Sequence, residues 1–485
     1  MLATGGEQMK AYFPLPLKQL PLWETPPENV QALYQRAQAE FPRKVIVLDD
    51  DPTGIQTVHG VNVYTDWSYE RILDCFRGDA VISYILTNSR SFTSAHTKRV
   101  HREIAENICR AAAQTRCDFV LISRGDSTLR GHWPLETQVL AETLAANGRK
   151  PFDGEVVIPF FPEGGRFTFG NIHYVREEDS LIPASETEFA RDATFGYLSS
   201  DLTDWCEEKT CGMHKAESCI CITLEDIRGL HVGKIAAQLM SAKNFTKIIV
   251  NAVCYEDLKV FCAAYLKALK SGKEFLFRTA AAWPKILGGI TDKALLTHHE
   301  LVADTSFGGV ILVGSYVNKT TQQLENLKNS GLPIRFIPFN AALVMEERGL
   351  VREASRVVSI AEESILQGMT VCIYTTRKRI EPDDLSSEQR LQMSVAISDA
   401  VSSVIGNLSV QPSFIVAKGG ITSSDVGVKA LRVRKAMVMG QIMPGIPVWM
   451  TGDESKFPRM PYVIFPGNVG EIATLTNISK ILMGQ

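Results

Sequence analysis

The 485-residue chain has no apolar run long enough to cross a membrane, which excludes a membrane-spanning helix. It has almost no net charge, −3 at pH 7 from 51 Lys and Arg against 54 Asp and Glu. A broad nucleic-acid-binding surface is thereby disfavoured, and any anion site must be built from local Arg and Lys. Its first residues lack the charged start, apolar middle and cleavage site of a secretory signal, so a cytoplasmic location is expected. There is neither a G-x-x-x-x-G-K-[ST] nor a G-x-G-x-x-G motif, so neither a P-loop nor a Rossmann dinucleotide site is supported. Tandem repeats and low-complexity tracts are absent as well. The ten cysteines are scattered, and Cys75, Cys109, Cys117, Cys262 and Cys372 read as reduced core residues. Cys206, Cys211, Cys219 and Cys221, with His214 among them, make no familiar C-x-x-C pair, and locally packed thiols are favoured over a zinc site.

What is present is an ordinary globular composition, 45% hydrophobic and 22% charged, in a chain long enough for two or three domains. The pattern divides into a lead-in over 1–42, a first domain over 43–290 and a second over 305–485. Residues 45–60, VIVLDDDPTGIQTVHG, are the focus of the first. Val45 to Leu48 form the continuous apolar run of a strand buried on both faces of a parallel sheet, and Asp49, Asp50 and Asp51 arrive at its carboxyl end, where open α/β sheets bind ligands. Pro52, Thr53 and Gly54 make a turn with room for a small molecule. A solvated strand-to-loop transition would look much the same.

Strands at 61–65 and 81–87 follow, the second ending in Asn88, Ser89 and Arg90. A helix over 94–114 with a Ser N-cap establishes strand–helix alternation. The strand 117–123 delivers SRGDSTLRG, which puts Arg124, Asp126, Ser127 and Arg130 into one glycine-containing loop. Arginine can clamp a carboxylate through two parallel hydrogen bonds while Asp and Ser sort hydroxyls, a mixture suited to a small polyhydroxy acid. An Arg–Asp pair holding a surface loop together is the competing reading. Residues 155–175 read as a strand, a Gly-rich connector with Arg166 and a hairpin, and 176–217 as a polar lid or excursion with helical stretches near 186 and 201.

In the second half, VILV before Gly314 and Ser315 leads into an amphipathic helix. FIVA runs into Lys418, Gly419, Gly420 and Thr422, where glycine backbone, hydroxyls and a cation converge as a phosphate site would need. Alone, this favours an N-capped helix after a tight turn over a phosphate site. Pro466, Gly467, Asn468 and Gly470 form a further open strand–helix turn. Several such turns in one domain favour a nucleotide pocket more than any one of them does.

Taken in order, DDDPTGIQTVHG, SRGDSTLRG, VGSYVNKTTQQ, AKGGITSSDVG and PGNVGE resemble the motifs of the four-carbon acid sugar kinases, a family first catalogued as a domain of unknown function. The resemblance spans most of the chain. It implies an α/β protein of two domains, each a mostly parallel sheet flanked by helices, with the active site in the cleft between them. It implies an ATP- and Mg2+-dependent kinase of threonate, erythronate or 3-oxo-tetronate. Asp50, Asp51 and Arg130 would be catalytic, and Asn88, Arg90, Asp126, Ser127 and Arg130 would line the sugar-acid site. Ser315, Lys418, Gly419, Gly420, Thr422, Gly467 and Asn468 would hold ATP. An Asp of the triplet would accept the hydroxyl proton or hold Mg2+, and Arg130 or Arg90 would fix the substrate carboxylate. No metal ligands are assigned, and a homo-oligomer is left open. The opening motif departs from the family's at Ile55 and Gly60, where Thr and Asp are usual, and 176–217 is expanded; both bear on the substrate more than on the reaction class. A sugar-acid oxidoreductase would need the missing dinucleotide motif. A non-catalytic sugar-acid sensor would have no use for the glycine turns of the second half.

Overall fold

A computed structural model describes residues 12–485 apart from 42, 52, 53, 304, 315, 316, 377–386 and 468. The chain forms two compact α/β units, one running through Gly54 and resuming over Trp67–Thr291, the other made of Ile55–Asp66 and Asp292–Gln485.

The first unit is built on seven parallel strands. Their spatial order is Ile220–Ile222, Thr246–Val250, Gly154–Ile158, Phe275–Thr279, Phe119–Arg124, Lys44–Asp49 and Ile82–Leu86. Val45, Ile46, Val47 and Leu48 are all buried, as a strand covered on both faces requires. Covering helices show the expected 3.6-residue stripe: Ser94–Thr115 buries Val100, Ile104, Ile108 and Ala111. Its N-cap is Thr93 rather than Ser94, because the Thr93 hydroxyl is the group that accepts from the His96 N–H, at 3.3 Å. Helix Tyr255–Lys270 is closed by a capping box between Cys254 and Asp257. The expanded segment over 176–217 begins within an antiparallel sheet ordered Leu15–Pro16, Ser180–Pro183, Ile172–Glu177 and Arg166–Phe169. It continues through short helical turns to helix Leu202–Lys209, whose Trp205 stacks on Trp133 with ring centroids 4.2 Å apart.

The second unit carries five parallel strands, Pro461–Phe465, Ile415–Lys418, Val310–Val313, Thr370–Thr375 and Ile334–Phe339 in spatial order, and three antiparallel ones, Val61–Tyr64, Lys435–Met443 and Ile446–Thr451. Two points differ from the sequence reading. Val61–Tyr64 stands in the first domain by chain order, yet it pairs with Lys435–Val438 and belongs to the second unit. Lys435–Met443 is a strand that polar and apolar alternation with glycine at position 440 concealed; Gly440, at φ 132, sits at a register shift in it.

One buried ion pair sits deep in the first unit. Lys247 and Glu155 lie on neighbouring strands at 2.5 Å, both essentially inaccessible, and Glu155 also accepts from the Trp133 indole at 2.6 Å. Glu155→Ala would strand the ammonium, and unfolding in urea should show a loss of about 3–5 kcal/mol. The double variant Glu155→Met with Lys247→Met should recover most of it. A single-variant loss no larger than that of an exposed pair would contradict this account.

Candidate functional site

Strand order in the first unit reverses at Lys44–Asp49: that unit's next strand, Ile82–Leu86, lies on one side and the one after it, Phe119–Arg124, on the other. Ligands of open α/β sheets bind beyond the carboxyl ends at such a reversal. Register places Asp49 level with Leu86 and Arg124, and Arg124 level with Thr279. Everything that follows these four residues meets at one edge.

There the acids and bases interlock. Arg124 Nη1 donates to Asp49 Oδ1 at 3.2 Å and stands 3.7 Å from Asp50 Oδ1. Arg90 reaches Asp50 through Nη2 at 2.6 Å and Nε at 3.2 Å, and Asp51 through Nη1 at 3.0 Å. Arg130 Nε donates to Asp126 Oδ2 at 2.8 Å, its Nη1 lies 3.7 Å from Asp192, and the Thr128 hydroxyl also donates to Asp126. Of the three consecutive aspartates only Asp51 is substantially open, with 28% of its side chain exposed against 3% and 1% for Asp50 and Asp49. Asp49 is further covered by Gly54, where a Cβ would come 2.0 Å from Asp49 Oδ2. Burial pushes the Asp49 carboxyl up to about 7 against the opposing pull of Arg124. Burial also works to raise Asp126, but Arg90 and Arg130 prevail and hold it well below the usual carboxylate range.

The loop carrying Asp126, Ser127 and Arg130 is held from beneath by groups outside the motif. Arg278, a buried guanidinium at the end of strand Phe275–Thr279, donates to the carbonyls of Asp126 at 3.3 Å, Arg130 at 3.2 Å and Thr279 at 3.1 Å. His173 Nε2 donates to Ser127 O at 2.7 Å, and burial lowers that imidazole to about 4, so it is neutral at pH 7. Tyr197 donates its hydroxyl to Thr128 O at 2.8 Å. Asn88, at φ 55, turns the chain toward Arg90.

The structure thus joins Asp50, Asp51, Arg90, Asp126 and Arg130 in one ion-pair network, with Asn88 and Ser127 in the flanking turns. It adds Arg278, Asp192 and the ring of Phe189, which stands 5.0 Å below the Arg130 guanidinium. Arg278 had a legible signal, a charge directly after the apolar run Phe275–Phe277. Asp192 and Phe189 had none, since the polar segment containing them shows no period.

In the second unit the strand order reverses between Val310–Val313 and Ile415–Lys418. Gly314 and Gly419 therefore leave the sheet side by side, the Gly314 N–H donating to Lys418 O at 3.3 Å and the Gly419 N–H to Phe465 O at 2.8 Å. A Cβ on Gly314 would lie 2.2 Å from the Thr422 hydroxyl, whereas Gly420 faces open space. Lys418 is not an open cation. Its buried ammonium donates to Pro466 O at 2.8 Å and Gly467 O at 3.2 Å and stands 3.6 Å from the Phe465 ring centroid. Burial, with Lys319 nearby, lowers it to about 7. It ties the Gly467 turn to the Gly419 strand, and Thr320 adds a bond to Gly467 O at 3.3 Å. Ser315 and Asn468, like Pro52 and Thr53 of the aspartate turn, lie outside the described residues. Among the described residues no three His, Cys, Asp or Glu side chains are grouped to hold a metal ion, and Cys206 packs in an apolar cluster with Trp133 and Trp205.

Comparison with known proteins places both halves of the chain in described domain families. Residues 45–287 match the model of a sugar-binding N-terminal domain, and residues 310–475 that of a nucleotide-binding C-terminal domain. The chain is thus a two-domain protein that pairs a sugar-binding α/β domain with a nucleotide-binding one. It belongs to the four-carbon acid sugar kinase family. Among solved structures, the Haemophilus influenzae protein HI1011 of the DUF1537 family is 17% identical with a TM-score of 0.61, over 90% of this chain and all of that one. A Salmonella typhimurium LT2 protein provisionally described as a tRNA synthase is 15% identical with a TM-score of 0.64, over 90% of this chain and 98% of that one. At these identities the likeness is one of fold. No curated protein matches the chain.

Two predictions follow from the geometry. Asp49 binds its proton more tightly in the native protein than in the unfolded chain, so its contribution to stability falls as pH rises from about 4 to 7. Asp126 has the opposite sign: its contribution is complete above about pH 4 and is lost on acidification. Melting temperature against pH should therefore lose its acid-side drop in Asp126→Asn and its fall toward neutrality in Asp49→Asn; curves parallel to wild type would refute both assignments. In the second unit, Gly314→Ala should introduce about 1–3 kcal/mol of overpacking against Thr422. Calorimetry should show weakened ADP binding with sugar-acid binding retained.

Proposed function

We propose that the protein transfers the γ-phosphoryl group of ATP to a hydroxyl of a four-carbon sugar acid of the threonate, erythronate or 3-oxo-tetronate type. The observation that carries this reading is the convergence of three aspartates with Arg90, Asp126 and Arg130 at the strand reversal of a sugar-binding domain, in a chain that also has a nucleotide-binding domain. Phosphoryl transfer asks for positioning and charge neutralisation more than covalent participation. A network of fixed carboxylates and guanidinium groups supplies both without reorganising as the reaction proceeds.

Asp51 is the carboxylate we assign to the reacting hydroxyl. Asp49 is sealed behind Gly54, and Asp50 is buried with both oxygens on Arg90, so neither can turn to a substrate. Asp51 accepts from Arg90 Nη1 and has 28% of its side chain exposed, a geometry that fixes the carboxylate while presenting it. It is also the carboxylate of this network best able to touch a magnesium ion, which neutralises phosphate charge and keeps most of its shell from phosphate and water. In the second unit, the N–H groups near Gly420 and the hydroxyl of Thr422 are the groups we assign to the phosphates, with Lys418 holding the Gly467 turn from within.

The test is ADP release from Mg-ATP with threonate, erythronate, 3-oxo-tetronates and longer aldonates, against a control without acid. Acid-dependent release with one four-carbon compound is the expected result, and Asp51→Asn should then lower kcat by about 10²–10⁴-fold, the range for a lost general base. ATP bound but never consumed across the panel would move the substrate outside this set. No nucleotide binding at all would end the kinase reading.

A further inference from the structure

We infer that Arg166 is the residue that receives the carboxylate of the sugar acid and sets the preference for acids over neutral sugars. The inference takes its substrate class from the kinase reading and its choice of residue from the ion-pair network. Each other arginine at this edge already has partners. Arg90 is bound to Asp50 and Asp51, Arg124 to Asp49, Arg130 to Asp126, and Arg278 to three backbone carbonyls. A substrate carboxylate could engage Arg90 or Arg130 fully only by displacing an aspartate from a charge-assisted bond, and the displaced charge would then be left poorly solvated.

Arg166 differs in this respect. Among the described residues no carboxylate stands within ion-pairing distance of its guanidinium, and its Nε is buried without a hydrogen-bond partner. The site is nonetheless the same one. Its guanidinium lies 5.7 Å from the centroid of the Phe189 ring that Arg130 covers at 5.0 Å, and it falls within the electrostatic field of Asp126. Nor is the side chain on a loose tether. The Arg166 N–H donates to Phe161 O at 2.9 Å and its carbonyl accepts from the Phe161 N–H at 3.0 Å, at the entry to strand Arg166–Phe169. Burial pushes the guanidinium down from its usual range, the direction expected of a cation that lacks its counter-charge. An arginine fixed at its root, desolvated along its stem and without an acid is a receptor for a planar anion. The acid group of the substrate is the anion that this domain must recognise to distinguish a sugar acid from a sugar alcohol.

The experiment is calorimetric titration of the full-length protein with threonate and erythronate and with their uncharged counterparts threitol and erythritol, in wild type, Arg166→Gln and Arg166→Lys. Wild type should prefer the acids. Arg166→Gln should weaken acid binding by about 10- to 100-fold, the value of a charge-assisted hydrogen bond, and leave alditol binding unchanged, and Arg166→Lys should recover part of the loss. An equal loss for acid and alditol would show that Arg166 only supports the fold of the site and would overturn the assignment. So would an unchanged acid preference in Arg166→Gln, or a wild type that binds acid no better than alditol, or none of the four compounds. ADP release measured in parallel separates the two claims. Acid preference that depends on Arg166 without ADP release would refute the kinase and keep the receptor; ADP release with acid preference untouched by Arg166→Gln would do the reverse.

Discussion

The sugar-binding domain depends on a balance of charge that water cannot supply. Asp49, Asp50 and Asp126 are almost wholly withdrawn from solvent, and an isolated carboxylate in that position would cost several kcal/mol. Arg124, Arg90 and Arg130 make the placement tolerable, and each does so at the carboxyl end of a strand or in the loop that follows one. The strands must therefore end at the same level for the acids to meet their bases. The register of Asp49 against Arg124, and of Arg124 against Thr279, is a condition of the site as much as of the sheet.

That dependence explains what sequence could and could not show. Continuous apolar runs such as Val45–Leu48 and Val310–Val313 announce buried parallel strands, and the polar residues that end them announce the ligand-facing edge, because both follow from local composition. Partnership is a different matter. Arg90 and Arg130 read equally well as clamps for a substrate carboxylate and as internal counter-ions, and only the folded arrangement shows how much of each is spent on aspartate. Lys418 illustrates the same limit, since beside two glycines it suggested an open phosphate-facing cation while its ammonium in fact lies under the Gly467 turn. Asp192 and Phe189 come from a segment without period, and Val61–Tyr64 pairs with Lys435–Val438, from the far end of the chain. Long-range pairing of that kind leaves no local trace.

The two sites proposed for anions are built by different means. The sugar-binding edge uses formal charge, with several arginines and aspartates in close contact. At the proposed nucleotide edge Lys418 is turned inward, and Gly420, at the start of a helix, faces open space. The contrast matches the ligands proposed for them. A small acid with few atoms must be discriminated by strong directional contacts, whereas phosphates that arrive with a divalent cation are already partly neutralised and are well served by backbone N–H groups.

Chain connectivity ties the aspartates to the second unit. The turn that carries Asp50 and Asp51 ends at Gly54, where the chain leaves the first unit, and by Gly60 its backbone is bonded to Val438 of the second at 2.7 Å. The chain returns at Trp67 to complete the sugar-binding sheet. For Asp51, the base we propose, the bond from Arg90 Nη1 is an advantage, since a general base gains from being held where its proton will be delivered. Asp49, at the end of its strand, lacks the exposure of Asp51, and burial there raises its carboxyl against the pull of Arg124.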